Sequence, residues 1–350
     1  MSRTRVLLLF GGESSEHDVS VSSARNVYAA IDDELYDINL CYIDRHGKWW
    51  LLENFDMRVD TRDAFQLMPV FGGHGFVTMP PESKTINPDV IFSVLHGRNG
   101  EDGSVQGVAQ LLHIPIVGCD VTASSIAMNK LACKEILQAN NIEVVPYVVH
   151  RAYETTPDFG RLTMQLGNPL FVKPARAGSS VGVHKVHNES EFKDALNDAH
   201  RHDPIVLVEK AISGHELECA VIGTPPKHRA SGVGEIIPSD NFYTYDDKYS
   251  SDSKAEIKID AEIDEDMKRR IRDVSLKTFE ILDCSGLARI DFMLSHDEVL
   301  YVMEVNTLPG FTNISMYPKL WKQEGISYAQ LIKLLIDDAL KNSTMISTEK

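Results

Sequence analysis

LARIDFMLSHDEVLYVMEVN, Leu287–Asn306, is the stretch from which the rest of the chain can be read. Two apolar-rich runs, Leu287–Leu294 and Val299–Asn306, flank a short polar turn, SHDE, and read as an antiparallel hairpin. Alternate side chains of a strand share a face. Arg289 and Asp291 therefore point one way, and Ala288, Ile290 and Phe292 the other. By the same alternation Glu304 and Asn306 share a face that Met303 and Val305 oppose. If the two polar faces coincide, two carboxylates and an amide oxygen converge on one patch. Hard oxygen ligands of that kind suit Mg²⁺ held together with substrate phosphates. Arg289 beside them is placed to stabilise an oxyanion or a transferring phosphoryl group. Alternation this regular also marks an ordinary half-buried strand with a solvated face.

Upstream of the hairpin, Glu216–Ile222 and Val233–Ile237 read as further strands at hairpin spacing. Between them and the hairpin lies Asp240–Lys254, DNFYTYDDKYSSDSK, polar and aromatic but poor in aliphatics, which reads as a surface loop. Before these strands comes a small α+β unit. Thr122 or Ser124 is placed to cap one helix carrying Ile126, Lys130, Ile136 and Leu137. Strands Val144–Val149 and Leu170–Lys173 follow, then the loop Pro174–Gly182, the strand Val183–Val186, a polar helix Glu189–His200 and the strand Ile205–Glu209. The loop lies within KPARAGSSVGV, Lys173–Val183. Its glycines and serines can fold backbone N–H groups around phosphate oxygens, with Lys173 adding charge. It is neither a Walker A loop nor a GxGxxG turn, and an ordinary flexible hairpin loop has the same composition.

The N-terminal third alternates strands with helices, which implies a parallel sheet. Val6–Phe10 is continuously apolar and reads as a strand buried on both faces. A helix follows over about Val19–Ile31, then a strand Tyr36–Ile43, a buried strand Val90–Leu95, a helix near Val105–Leu112 and a short strand Ile114–Val117. GGESSEHDVS, Gly11–Ser20, joins the first strand to its helix. Ligands of open α/β sheets sit at the C-terminal ends of strands, where Glu16 could hold an ammonium group. Ser14, Ser15 and Glu16 equally resemble a simple helix cap. His96, in HGRNGEDG, follows a strand in the same way, and a lone histidine there is more often structural.

The chain has 350 residues, 43% hydrophobic and 25% charged, enough for two or three domains. A formal charge of −16 with no basic stripe argues against nucleic-acid binding. Five scattered cysteines without CxxC spacing argue against a disulfide framework or a zinc site, and favour reduced thiols in the cytoplasm. The opening apolar run stops after five residues at a double glycine, so a first strand is a better reading than a signal peptide, and no apolar run is long enough to span a membrane.

Taken together, eight segments resemble the D-alanine–D-alanine ligases of the ATP-grasp superfamily, in order from Val6 to about Leu335. They are FGGESSEHDVS, LHGRNGEDGSVQG, MNK, FVKPARAGSSVGV, VLVEK, YDDKYSSD, LARIDFML and EVNTLPGFTNISMYP. The resemblance implies a mixed α/β and α+β fold: an ATP-grasp fold preceded by an N-terminal parallel-sheet, or pre-ATP-grasp, domain. Three parts follow, residues 1–120, 121–211 and 212–350, with ATP clamped between the last two. It implies that Lys130, Lys173, Ser179, Ser180 and Lys248 lie along the phosphates. Glu209, Lys210, Ile212 and Glu216 should hold adenine and ribose, with Met303 on the base. Asp291, Glu304 and Asn306 match the ligands of two Mg²⁺ ions, for which Mn²⁺ can substitute, and Asn306 also faces the nucleotide. Glu16 matches the residue that takes the first D-alanine's amino group, linked through Ser179 to Tyr249, with His96 close by. Arg289 and the Gly310 N–H match an oxyanion site. Ser315 and Met316 match positions for the second D-alanine's carboxylate. The resemblance further implies a lid at 240–254, a homodimer and a role in peptidoglycan synthesis. Close competitors are D-alanine–D-lactate ligases, which often lack the tyrosine found here at Tyr249 and carry a histidine in that loop, and D-alanine–D-serine ligases. A catalytically silent ATP-binding module is the competitor from another class, and the intact Lys173, Asp291, Glu304 and Asn306 argue against it.

Overall fold

Strand β1 (Thr4–Gly11) shows why the N-terminal sheet is buried on both faces. Its residues Val6–Phe10 are at most 1% exposed. Val6, Leu8 and Phe10 enter one core and Leu7 and Leu9 another, as the period of two requires. The computed structural model describes residues 3–55, 59–79, 84–237, 256–312 and 314–347, with side chains to residue 342. The proposed lid 240–254, with Lys248 and Tyr249, lies outside the described residues.

β1 pairs in parallel with β2 (Tyr36–Ile43) and β7 (Val90–Ser93). That parallel core continues through β3 (Trp49–Leu52), β4 (Phe65–Val70), β5 (Gly75–Met79) and β6 (Thr85–Ile86), which pair antiparallel to give the order β6-β5-β4-β3-β2-β1-β7. The sheet is thus mixed, and its meander was not evident in the sequence. Helix α1 (His17–Ala30) follows β1, and α2 (Ser104–Leu111) follows the loop after β7. The expected strand Ile114–Val117 reduces to a single parallel bridge, Ile91 with Ile116.

The one helix expected around Lys130 is two. α3 (Val121–Met128) is capped by Asp120, and α4 (Lys130–Ala139) by Asn129, whose side chain accepts from Ala132 N. Thr122 and Ser124 lie inside α3 and do not cap it. Asn129 turns to an extended backbone, which ends α3 and starts α4 at Lys130. The central sheet has the order β10-β9-β11-β8. It is built from β8 (Tyr147–Arg151), β9 (Leu170–Pro174), β10 (His184–Val186) and β11 (Ile205–Lys210), all antiparallel. Helices α5 (Phe159–Leu166) and α6 (Glu189–His202) bury Leu162, Phe192, Leu196 and Ala199 against one face, with Val172, Val206 and Val208.

The third sheet has the order β14-β13-β12-β15-β16 and is antiparallel throughout. Its strands are β12 (Gly214–Ile222), β13 (Arg229–Ile237), β14 (Glu256–Lys258), β15 (Leu287–Ser295) and β16 (Leu300–Asn306). Helix α7 (Glu265–Ile281) covers one face, placing Ile271 and Phe279 with Leu217, Cys219, Ile290 and Phe292. The other face carries the polar residues. Helices α8 (Met316–Gln323) and α9 (Tyr328–Ser347) return to the first core, where Tyr317 and Trp321 are at most 1% exposed.

Candidate functional site

The hairpin places its polar residues on one face. Arg289 stands opposite Asn306, and Asp291 opposite Glu304; on the other side Asp291 pairs with Glu218 of β12. Beyond Asp291 the register shifts, and Phe292 faces Val302. This bulge corrects the strict alternation expected from the sequence. It inserts Met303 as an extra residue, so Met303 and Glu304 both line the cleft while Val302 and Val305 stay buried.

Two adjoining cavities open on this face. The larger, about 470 Å³, is lined by Lys130, Lys173, Ser179, Ser180, Glu209, Lys210, Ile212, Glu216 and Met303 among others. These are the expected nucleotide residues, apart from Lys248, which is outside the described residues, and Asn306, which faces the neighbouring cavity. That second cavity, about 120 Å³, is lined by Glu16, His96, Arg289, Asn306, Gly310, Ser315 and Met316 among others. Ser179, Glu216, Asp291 and Glu304 line both. The two hypothetical half-sites of the sequence reading are therefore contiguous, with the hairpin carboxylates at the junction.

The larger cavity has a buried charge network as its floor. Glu209 accepts from Lys134 at 3.0 Å and from Lys173 at 2.8 Å. Burial resists ionisation of Glu209, but the two ammonium groups win and hold its carboxyl down at about 2. Lys173 is also desolvated, yet Glu209 and more distant acids raise its pKa and keep it charged. Burial drives Lys134 the other way. Lys130, the first residue of α4, donates to Ala177 O at 2.7 Å and reaches Glu304 at 3.2 Å, tying the serine loop to the hairpin. That loop turns through positive φ at Ser179 (48°) and Ser180 (60°). With Val181 N donating to Gly178 O at 3.1 Å, these two residues form a tight turn at the cavity wall.

In the smaller cavity, Glu16 occupies the N-cap position of α1 but makes no side-chain cap bond, which removes the simple capping reading. The buried carboxylate turns instead towards the loop after β7 and the serine loop. A Cβ added to Gly97 would lie 2.7 Å from its Oε2, and one added to Gly178 3.5 Å away. His96, 4% exposed, contacts Leu308 O at 3.2 Å and Ser23 Oγ at 3.2 Å, with Glu101 3.9 Å away. Burial disfavours its charged form, yet Glu101 and Glu16 raise its pKa above the usual histidine value. Arg289 donates to both oxygens of Asp291, at 2.7 and 2.8 Å, and lies 3.1 Å from Glu218. These acids, against the cost of burial, keep it a permanent cation. Ser315 precedes α8, and its hydroxyl accepts from Thr312 N at 3.0 Å. Ser315 and Met316, at the start of α8, line the cavity, a position that suits a carboxylate ligand.

The donor set fits Mg²⁺ better than a caged metal. Among the described residues no three His, Cys, Asp or Glu side chains cluster to hold an ion by themselves. Mg²⁺ is commonly held by one or two carboxylates plus substrate phosphates, and Asp291 and Glu304 stand opposite one another at the cavity junction. Asn306 Nδ2 lies 2.9 Å from Asp291 Oδ2, so the amide belongs to the same patch.

Three residues here escaped the sequence reading. Glu218 could have been found, since it follows Glu216 by two and shares its face. Lys134 follows Lys130 by one helical turn, but nothing in the sequence shows that it is buried. Glu101 sits in the quoted HGRNGEDG loop without any periodic signal.

Comparison with known proteins gives the kinship. Residues 5–119 match the family described as D-ala D-ala ligase N-terminus, and residues 136–337 its C-terminus. The chain belongs to the D-alanine–D-alanine ligase family. Within that family it is 42% identical to D-alanine–D-alanine ligase A of Chromobacterium violaceum, over 99% of this chain and 97% of that protein. It is 43% identical to the D-alanine–D-alanine ligase of Shouchella clausii, over 97% and 96%. Among solved structures, the D-alanine–D-alanine ligase from Coxiella burnetii superposes with a TM-score of 0.89 at 32% identity, covering 99% of this chain and 97% of that one. VanG D-Ala:D-Ser ligase from Enterococcus faecalis gives 0.86 at 32% identity, covering 96% and 99%. The mixed α/β fold expected from the sequence is therefore the family fold. No described helix is long and apolar enough to cross a membrane.

Proposed function

We propose that this chain uses ATP to join two D-alanines, through a D-alanyl phosphate, into D-alanyl-D-alanine for peptidoglycan synthesis. The observation that carries the reading is the contiguity of the two cavities. A nucleotide-sized space floored by Lys173 and Glu209 meets an amino-acid-sized space holding Glu16, Arg289 and Ser315, and Asp291 and Glu304 line both.

Each step follows from groups already described. Lys130, Lys173 and the Ser179–Ser180 turn hold the phosphates, while Lys210, Ile212, Glu216 and Met303 surround the nucleoside. Glu16 takes the ammonium of the first D-alanine and presents its carboxylate to the γ-phosphorus. Asp291, Glu304 and Asn306 would hold Mg²⁺, which when bound neutralises charge on the phosphates. The carboxylate oxygen bonds to phosphorus as ADP leaves. The amine of the second D-alanine, its carboxylate at Ser315 and Met316, then attacks the acyl carbon. Arg289 and the Gly310 N–H stabilise the resulting oxyanion, and phosphate departs. An acyl phosphate hydrolyses readily, so water exclusion matters, and the lid assignment to 240–254, with Ser179 coupled to Tyr249, belongs to this reading.

The same reading divides the chain at 120 and 211, one sheet to each part, and makes it a cytoplasmic homodimer. Five free, buried thiols suit a reducing compartment. For the acceptor, relatives at 42% and 43% identity are named for D-alanine, which supports the dipeptide. A tyrosine side chain is ordinarily neutral over the range in which a histidine would gain charge and repel an incoming ammonium. The test offers D-alanine with equal D-lactate or D-serine, near pH ~6 and ~8, and weighs the products. D-alanyl-D-alanine should dominate every mixture; a majority of depsipeptide or of the D-serine product would overturn the acceptor assignment.

A further inference from the structure

The serine loop between β9 and β10 is fastened from outside by a buried carboxylate. Asp203, just after α6, is 3% exposed. Its oxygens accept four hydrogen bonds. Three come from Arg176: the backbone N at 3.0 Å, Nε at 2.8 Å and Nη2 at 2.9 Å. The fourth comes from Ile205 N at 2.8 Å, at the start of β11. Burial opposes the charge on Asp203, yet these donors hold its carboxyl below the usual range. One carboxylate therefore locks the second residue of the loop to the strand that carries Glu209.

An exposed ion pair contributes little, but this one is different in kind. It is bidentate, includes a backbone donor and has its acid fully buried, so it fixes a peptide plane as well as a side chain. The loop has reason to need fixing. Two consecutive non-glycine residues at positive φ are not the relaxed state of a free loop. The exit is pinned by the same end of α6. His184 lies 2.8 Å from Asp198, and a Cβ on Gly182 would lie 2.7 Å from the His202 ring. Arg176 and Asp203 line neither cavity.

We infer that Arg176 and Asp203 are positioning residues that hold the Ser179–Ser180 turn in shape for a nucleotide's outer phosphates, without touching the nucleotide. The inference rests on the phosphate-loop reading above. It is tested by calorimetric titration of the full chain with ADP and, separately, with adenosine. Arg176→Ala removes the side-chain tether at an exposed position, so the variant should fold even if Asp203→Asn does not. ADP should bind about tenfold more weakly to Arg176→Ala, and adenosine within about twofold of the parent. Arg176→Lys, which keeps a cation beside Asp203 but not the bidentate fork, should recover only part of the loss. Equal weakening of both probes, or no weakening of either, overturns the inference. A parent chain that binds ADP no better than adenosine overturns the phosphate-loop reading itself, and the two failures are thereby distinguished.

Discussion

Lys134→Met should cost stability by removing a buried ammonium that Glu209 and Val145 O both hold. Lys134 and Glu209 side chains are 3% and 4% exposed and 3.0 Å apart. At an effective dielectric of about 20, unit charges at 3.0 Å attract by about 5.5 kcal/mol. Much of that is cancelled by the cost of burying the ammonium and by its repulsion from Lys173. Lys173 also stays on Glu209 in the variant, 2.8 Å away, so the acid is not left alone. The net loss should be about 2–4 kcal/mol, near the lower end for a broken buried pair. Over a cooperatively unfolding chain of 350 residues that corresponds to a fall in Tm of roughly 3–5 °C. The assay is thermal and urea unfolding of Lys134→Met, Glu209→Gln and the double variant, closed as a cycle. The pair should show a coupling of at least about 1.5 kcal/mol. Lys134 does not line the nucleotide cavity, so turnover at low temperature should survive. A coupling below about 0.5 kcal/mol would refute the reasoning, because the two charges would then be shielded despite their burial.

The other predictions concern the cavities. Glu304→Gln should lower kcat by about 10²–10³-fold with an unchanged unfolding curve, since one charge is lost at the cavity junction; near-normal kcat would remove Glu304 from the metal set. Gly310→Ala puts a Cβ 2.7 Å from Ser315 Oγ, which should raise KM for the acceptor D-alanine by about tenfold with little change in Tm; unchanged kinetics would count against the acceptor site. The pH dependence follows from Glu209, whose carboxyl falls from an ordinary 4.5 to about 2 on folding. A depressed pKa stabilises above the unfolded value and is lost as pH falls through the folded one, so the stability gap between the parent and Glu209→Gln should shrink between pH ~5 and ~2. A gap that stays constant over that range would show that Glu209 is not held ionised by its lysines.

How much of this was legible in the sequence depends on the physics at each position. Continuous apolar runs such as Val6–Phe10 announce a strand covered on both faces, and the period of two on β15 correctly places Arg289 and Asp291 together. The pairing of that strand with β16 obeys the same rule until the bulge. A bulge depends on the partner strand, so alternation read along one chain put Met303 on the wrong face. The break at Asn129 was hidden for a similar reason, because Thr122, Ser124 and Asn129 are all acceptable caps and only packing selects among them. The meander β3–β6 is short and half-exposed, and its periodic signal is weak. Glu16 shows the limit most clearly. Its position in the sequence suits a cap better than a ligand group, and only the missing cap bond and the proximity of Gly97 and Gly178 point the other way.

The central claim is that a D-alanine carboxylate oxygen attacks the γ-phosphate across the junction of the two cavities. It is tested most directly with D-alanine whose carboxylate carries heavy oxygen, supplied with ATP and Mg²⁺ in ordinary water. Attack by that carboxylate leaves its oxygen bridging carbon and phosphorus, and breakdown of the acyl phosphate by the second amine leaves it on phosphorus. One heavy oxygen should therefore appear in each inorganic phosphate formed alongside D-alanyl-D-alanine. Unlabelled phosphate released in step with the dipeptide would contradict the account.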